Sequence, residues 1–317
     1  MFKIRLYANG DDERWNEFVR QSKNGTFLFD RRYMSYHSDR FADCSLMIYH
    51  AKDDGHEKLM ALLPANRRGN VLVSHGGLTY GGLVMSHDMT VELCTALFGA
   101  LNDYLRSCGI ERVVYRPTPW IYHSMPSEED LYALVGVCKA RLTAREVSST
   151  ILLGNRPKMS KLRHRCANKA LRQGVVVRES DDLAAFWQIL DGNLMTCHGV
   201  HPVHTLDEMT LLRSRFTDNI RLFMAFKDEQ PLGGTLVYEC GQVIHTQYIS
   251  ATPEGKAMGA LDLLFSWLID NRYSDRKYLD FGKSTEQQGR WLNTGLIHQK
   301  EGFGGRALCY DTYEWAP

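Results

Sequence analysis

The order of secondary-structure signals runs through this chain twice, and that repeat limits the fold more than any single motif does. In the first half, Phe2 to Tyr7 alternates apolar and charged residues, which predicts a half-buried strand. Asp11 or Asp12 can cap a helix running to about Ser22, and an aromatic-rich helical segment follows over Phe27 to Phe41. Ser45–His50, Leu59–Ala65 and Val71–Ser74 read as strands separated by turns at Asp53–Gly55 and Arg68–Asn70, so an antiparallel meander is expected. A helix from about Met89 to Ser107 ends at Gly109; a strand from Val113, a short helix from Ser127 and a strand over Glu146–Leu153 complete the half. The second half gives the same succession. Strand Val175–Arg178 leads to a helix capped by Asp181 or Asp182, then to helix Leu206–Phe216. Strands Arg221–Lys227, Leu232–Cys240 and Gln242–Ser250 precede helix Lys256–Asn271, strand Tyr278–Phe281, helix Arg290–Glu301 and strand Arg306–Tyr313. Antiparallel strands followed by a crossover helix into a further strand predict an α/β (α+β) mixed sheet with helices on both faces. Two tandem domains packed side by side are expected, 1–153 and 154–317, with a basic helix over Lys158–Arg172 between them.

The length of 317 residues agrees, since it exceeds what one hydrophobic core usually serves. A hydrophobic content of 44% with 24% charged residues excludes a disordered or fibrous chain. The net charge of +1 gives no global attraction to nucleic acid or anionic lipid, so any such contact needs a local patch. The longest apolar stretch, Leu261 to Ile269, is interrupted by Asp262 and Ser266 and falls short of the roughly 20 residues of a membrane span. Charges interrupt the apolar residues of the N-terminus, so no signal peptide is expected. Eight cysteines stand singly, without a Cys-x-x-Cys pair, which suits buried thiols in a reducing compartment; the expected location is the cytoplasm.

Several strings then resemble the GNAT superfamily, and within it the Fem-like branch with two GNAT domains in tandem. Tyr248 to Pro253, followed by Gly255 and the helix around Gly259-Ala260-Leu261, looks like the strand–loop–helix that holds the donor's pyrophosphate. Tyr278 to Ser284 looks like the Asp-Phe-Gly strand of Fem-like proteins, and Gln299 to Gly305 like their terminal Phe-Lys…Phe-Gly motif, with Gln299 in place of the aromatic. Where the usual signature is Gln/Arg-x-x-Gly-x-Gly/Ala, this chain departs from it with Lys256-Ala257-Met258-Gly259-Ala260-Leu261, a leucine standing where the last small residue belongs. The resemblance implies an acyltransferase whose second domain binds acetyl-CoA or another acyl-CoA, without a metal. Fem-like transferases that use aminoacyl-tRNA also lack a clean signature, so that donor is the alternative. Both readings imply an amine acceptor: a small molecule, a sugar, an amino acid, or a glycan or peptidoglycan precursor. A catalytically silent binding protein of the same fold is a third reading.

The chemistry asked of the residues is specific. Acyl transfer to an amine needs a positioned electrophile, a neutral nucleophile and donors at the developing oxyanion, but no covalent enzyme nucleophile. Ala251, Thr252, Gly255, Lys256, Gly259 and Ala260 form a strand-to-helix passage of amides and charge suited to phosphate, or else an ordinary glycine turn, and Lys283 and Ser284 follow the neighbouring strand as site residues or a solvated loop. Gly282-Lys283-Ser284 is not a phosphate loop, because Lys277 stands where that motif needs its first glycine. By resemblance Lys300 stabilises donor or transition-state charge. His245, Asp280 or Glu286 can serve as general base, with a core-edge histidine the alternative for His245. The run Cys197 to His204 has zinc-ligand residue types, but Gly199 and Pro202 break any regular face, so a substrate-facing loop with His198 or His204 as polar contacts is expected, with an inert loop the alternative. The glycine-dense run Ser74 to Gly82 offers His75 and Tyr80 to an acceptor groove between the halves, with a flexible connector as the alternative. The basic helix is either a solvated face or a grip for phosphates. The signature strings of serine hydrolases, zinc proteases and dinucleotide enzymes are absent from the sequence.

Overall fold

A computed structural model describes residues 1–51 and 55–317, apart from the His198 side chain. The turn expected at Asp53 and Asp54 and the contact expected of His198 lie outside the described residues. The chain divides into two compact units, Met1–Glu146 with Gln288–Arg290 and Cys309–Pro317, and Val147–Gln287 with Trp291–Leu308. These differ from two contiguous halves because two long strands each begin in one unit and end in the other.

In the first unit, β1 (Phe2–Leu6), α1 (Asp12–Gln21) and α2 (Arg31–Met34) precede β2 (Leu46–Ala51), β3 (Glu57–Leu63), β4 (Asn66–Arg68), β5 (Val71–Val73) and β6 (Val84–Met85). Then come α3 (Val91–Ser107), β7 (Arg112–Tyr115), α4 (Glu129–Gly136) and the start of β8 (Arg141–Leu152). The expected three-strand meander does not form. β2 and β3 pair in a sheet ordered β1-β2-β3-β6, whereas β5 leaves them, hairpins with β4 and runs parallel to β7. Trp315, from the last strand, joins this unit's core with Phe98, Leu101 and Tyr115.

The second unit continues through α5 (Lys161–Arg172), β9 (Val176–Ser180), α6 (Leu183–His198), α7 (Leu206–Arg215), β10 (Ile220–Lys227), β11 (Gln230–Cys240) and β12 (Val243–Ala251). It ends with α8 (Pro253–Met258), α9 (Ala260–Trp267), β13 (Tyr278–Lys283), β14 (Thr285–Glu286), β15 (Trp291–Leu292), α10 (Thr294–Glu301) and the start of β16 (Arg306–Trp315). Here the meander β10-β11-β12 forms as expected, and the strands lie in the order β8-β13-β12-β11-β10-β9. The single helix expected over Lys256–Asn271 is two helices. Thr252 caps α8 by accepting from the Gly255 amide, with Pro253 at its first position. Gly259 then turns left-handed at φ +81°, and a Cβ there would lie 2.7 Å from the Cys166 carbonyl of α5.

β12 and β13 are parallel over three pairs only, Val243 with Tyr278, Ile244 with Leu279 and His245 with Asp280. Beyond His245 the register of β12 against β11 slips, Val237 facing Thr246 and Leu236 facing Tyr248. That bulge reverses the alternation of side chains. His245, Tyr248 and Ser250 therefore face α6, where Tyr248 meets Trp187 and Ser250 donates to the Ile189 carbonyl. Ile249 packs into the opposite core with Phe265 of α9 and Phe281.

Candidate active site at the parting of two strands

Where β13 leaves β12, a pocket of about 250 Å³ opens between them. Ser250 and Asn193 line it on the α6 side, and Ile249, Phe265, Phe281 and Phe303 on the α9 side, so it passes through the sheet. The Thr252 amide bonds the Leu232 carbonyl on β11. Alternation then directs the Ile249 and Ala251 amides to the other side, toward the gap. N–H groups aimed into a pocket in this way are the kind of donor a developing oxyanion needs.

A second hollow of about 280 Å³ adjoins the first, sharing Lys256, Leu261 and Gln299. It is polar, with Arg163, Asp262 and His298 on its walls and the first turn of α9 at its side. Some phosphate donors expected from the sequence are already engaged. The Gly255 amide bonds Thr252 Oγ1, and the Lys256 amide bonds the Thr252 carbonyl. A Cβ on Gly255 would fall 2.1 Å from the Leu232 carbonyl, so this glycine serves close helix–strand packing, and Thr252 serves as a cap. Lys256 keeps its ammonium near the mouth, donating to Asn193 Oδ1 at 2.5 Å. Ala251 lines the inner pocket, Gly259 lines the outer one, and Ala260 opens α9.

Lys300 closes the inner end. The residue is only 5% exposed, and its ammonium donates to the carbonyls of Gly282 (2.8 Å) and Lys283 (2.9 Å) and to Ser284 Oγ (2.9 Å). Three acceptors match its three hydrogens. Burial pulls this lysine down to about 8, and the Asp280 charge opposes the fall. Lys300 thus places its charge at the inner end of the pocket, held there by the Lys283 carbonyl and the Ser284 hydroxyl.

On the α6 face, His245 Nδ1 lies 2.9 Å from Asp280 Oδ2. Asp280 is fully buried, and its Oδ1 accepts from Ser148 Oγ and from Thr150 Oγ1 at 2.9 Å. Two hydroxyls fix the carboxylate and the carboxylate fixes the imidazole, the arrangement that orients a general base. Gly282 stands between this pair and Lys300: its carbonyl takes the ammonium, it adopts φ +71°, and a Cβ there would approach His245 Cε1 to 3.3 Å. Ser148 and Thr150 carry no sequence signal, being some 130 residues from Asp280. Gly282 was legible only as part of the Asp-Phe-Gly string.

Other expected residues lie elsewhere. Glu286 is on β14, where its carboxylate faces Asn293 Nδ2. His204 is 5% exposed and packs on Tyr248, its Nδ1 2.6 Å from the hydroxyl, so it supports the α6 face from within. His75 and Tyr80 are corrected: both are buried inside the first unit, at 4% and 2% exposure, and do not line a surface groove. Tyr80 donates to Thr26 Oγ1, and burial beside His37 brings His75 down to about 3. Within the Cys197–His204 run, His201 pairs with Asp191 while His204 packs on Tyr248. Among the described residues, no group of three or more His, Cys, Asp and Glu could hold a metal ion. A larger hollow, about 550 Å³, lies beside Asp181, Arg213 and Arg221, but its arginines are paired with Asp181 and Glu179.

Residues 158–288 match the family model described as acetyltransferase (GNAT) domain. No curated protein matches the sequence. Solved structures match along its whole length. FemX has a TM-score of 0.68 at 10% identity, covering 99% of this chain and 97% of its own. L-PGS from Bacillus licheniformis has a TM-score of 0.62 at 13% identity, covering 98% and 93%. The C-terminal domain of a putative lysylphosphatidylglycerol synthetase from Agrobacterium fabrum has a TM-score of 0.60 at 12% identity, covering 97% and 92%. At such identities the likeness establishes a common fold.

Proposed function

We propose that this chain, an acyltransferase carrying a GNAT domain on a Fem-like tandem fold, moves an acyl group from acyl-CoA to the amine of a sugar, amino acid or cell-envelope precursor. The observation that carries this reading is the pocket through the parted strands, with Lys300 buried at its end. The polar outer hollow suits the donor's phosphates, aided by Lys256 and the first turn of α9. The acyl carbonyl lies in the inner pocket against the Ile249 and Ala251 amides, and the amine arrives on the α6 face. Its nitrogen bonds the carbonyl carbon, its proton passes to His245 directly or through water, and the carbon–sulfur bond breaks to release a thiolate that takes a proton from solvent. Lys300's charge stabilises the oxyanion at a distance where low polarity keeps it effective. Lys283 and Ser284 hold Lys300, and Thr252, Gly255 and Gly259 shape the passage. All eight cysteines are free, and we place the reaction in the cytoplasm. Among the described residues, no helix is long and apolar enough to cross a membrane. Titrating acyl-CoA while following the melting temperature tests the donor: a rise that grows with concentration is expected, and no change at millimolar ligand sinks it.

A second reading, aminoacyl-tRNA as donor, is favoured by one surface. Lys161, Arg165, Lys169 and Arg172 follow one side of α5, while Ala167 and Ala170 on another side are buried. Lys161, Arg165 and Arg172 are exposed with no carboxylate partner among the described residues, and Arg163 of the same helix lines the outer hollow. FemX and a lysylphosphatidylglycerol synthetase share the fold. Binding of tRNA that weakens steeply with salt, lost when Lys161, Arg165 and Arg172 become glutamine, supports it.

A further inference from the structure

The inner pocket also limits what the donor can carry. Its floor is three phenylalanines, Phe265, Phe281 and Phe303, with ring centroids 5.0 to 5.7 Å apart. Leu261 and Ile249 form its walls, and Leu296, 37% exposed on α10, stands at its rim. Its polar groups are two lysines, a serine and two amides; no carboxylate lines it among the described residues.

From this we infer that the site selects an uncharged, apolar acyl chain of several carbons over acetyl and aminoacyl groups, an inference that rests on the donor reading above. The volume of about 250 Å³ equals roughly eight water volumes. An acetyl group leaves most of it as water against phenyl rings, whereas a six-carbon chain displaces that water. Each methylene moved out of water is worth about fourfold in affinity. An aminoacyl group brings an α-ammonium into a chamber with Lys300 at its end and no acid to receive it, which like-charge repulsion and desolvation both oppose. A dicarboxylic acyl group would have to desolvate its free carboxylate beside a Lys300 whose three hydrogens are already donated to protein acceptors.

The test is calorimetric titration of the full chain with CoA, acetyl-CoA, hexanoyl-CoA and succinyl-CoA, repeated on Leu296→Trp, with the melting temperature of each protein recorded. Hexanoyl-CoA should bind at least tenfold more tightly than acetyl-CoA, and succinyl-CoA no more tightly than acetyl-CoA. Leu296→Trp narrows the rim and should weaken hexanoyl-CoA at least fivefold more than acetyl-CoA. Equal binding of acetyl- and hexanoyl-CoA overturns the chain selection and leaves the donor reading intact. A hexanoyl preference unchanged in a folded Leu296→Trp protein overturns the assignment to this chamber. If no CoA ester binds and aminoacylated tRNA does, both the inference and the donor reading fall.

Discussion

The two units solve the same local problem in opposite ways. Each contains a parallel strand pair only three residues long, β5 with β7 and β12 with β13, after which the strands have to part. In the first unit the chain fills its own gap. The Ser74 amide bonds the Val114 carbonyl, the Arg116 amide bonds Ser74 Oγ, the Gly81 amide bonds the Arg116 carbonyl, and Thr118 Oγ1 donates to the Gly81 carbonyl. Gly81 passes so close to Ser74 that a Cβ would sit 1.9 Å from its carbonyl oxygen. In the second unit a bulge turns β12, helices begin at once, and the gap stays open as a pocket. The difference shows that an open pocket here depends on where the loop after the strand goes: back across the gap, or away into a helix.

The largest expected effect falls on the open gap. Lys300→Met should lower turnover about 10²–10³-fold, the usual range for losing one electrostatic stabiliser of an oxyanion. Intact near-ultraviolet circular dichroism must accompany the loss, and wild-type turnover in the variant would remove Lys300 from the mechanism. Next comes His245→Gln, expected to cost about 10²-fold in turnover with donor affinity kept, as for removal of a general base. A loss confined to donor binding would instead return His245 to the core.

The closed gap should respond in stability. Gly81→Ala forces a methyl onto the Ser74 carbonyl, and overpacking of this kind costs about 1–3 kcal/mol. Denaturant unfolding should show it, while turnover per folded molecule stays unchanged. A fall in turnover without a loss of stability would break the contrast between the units.

The smallest effects are in pH, and they run in opposite directions. Lys300 is charged below about 8, so turnover should fall as pH rises above 8. Its ammonium is disfavoured by folding, and the unfolded chain keeps that proton to higher pH. Stability from this group therefore rises between about 8 and the ordinary lysine range. In the first unit, burial raises Asp130 to about 6, with Tyr115 donating to it at 2.6 Å. The folded state holds that proton longer, so the contribution is present at low pH and lost as pH climbs from about 4 to 6. Asp130→Asn should flatten that part of a melting-temperature profile and leave the activity profile above pH 8 in place.

The sequence by itself determined the element order of the second unit and the strand–loop–helix around Ser250 to Gly259, and it put forward His245, Asp280 and Lys300 as candidates. These rest on local periodicity, capping and short strings, which a linear reading can follow. Tertiary structure alone decided which amides remain available, because Thr252 takes the Gly255 amide and the bulge after His245 sets which face each residue of β12 presents. It alone brought Ser148 and Thr150 to Asp280, and it buried His75 and Tyr80. The physical reason is that strand pairing joins segments far apart in the chain, and one slipped residue exchanges core for site along the rest of a strand.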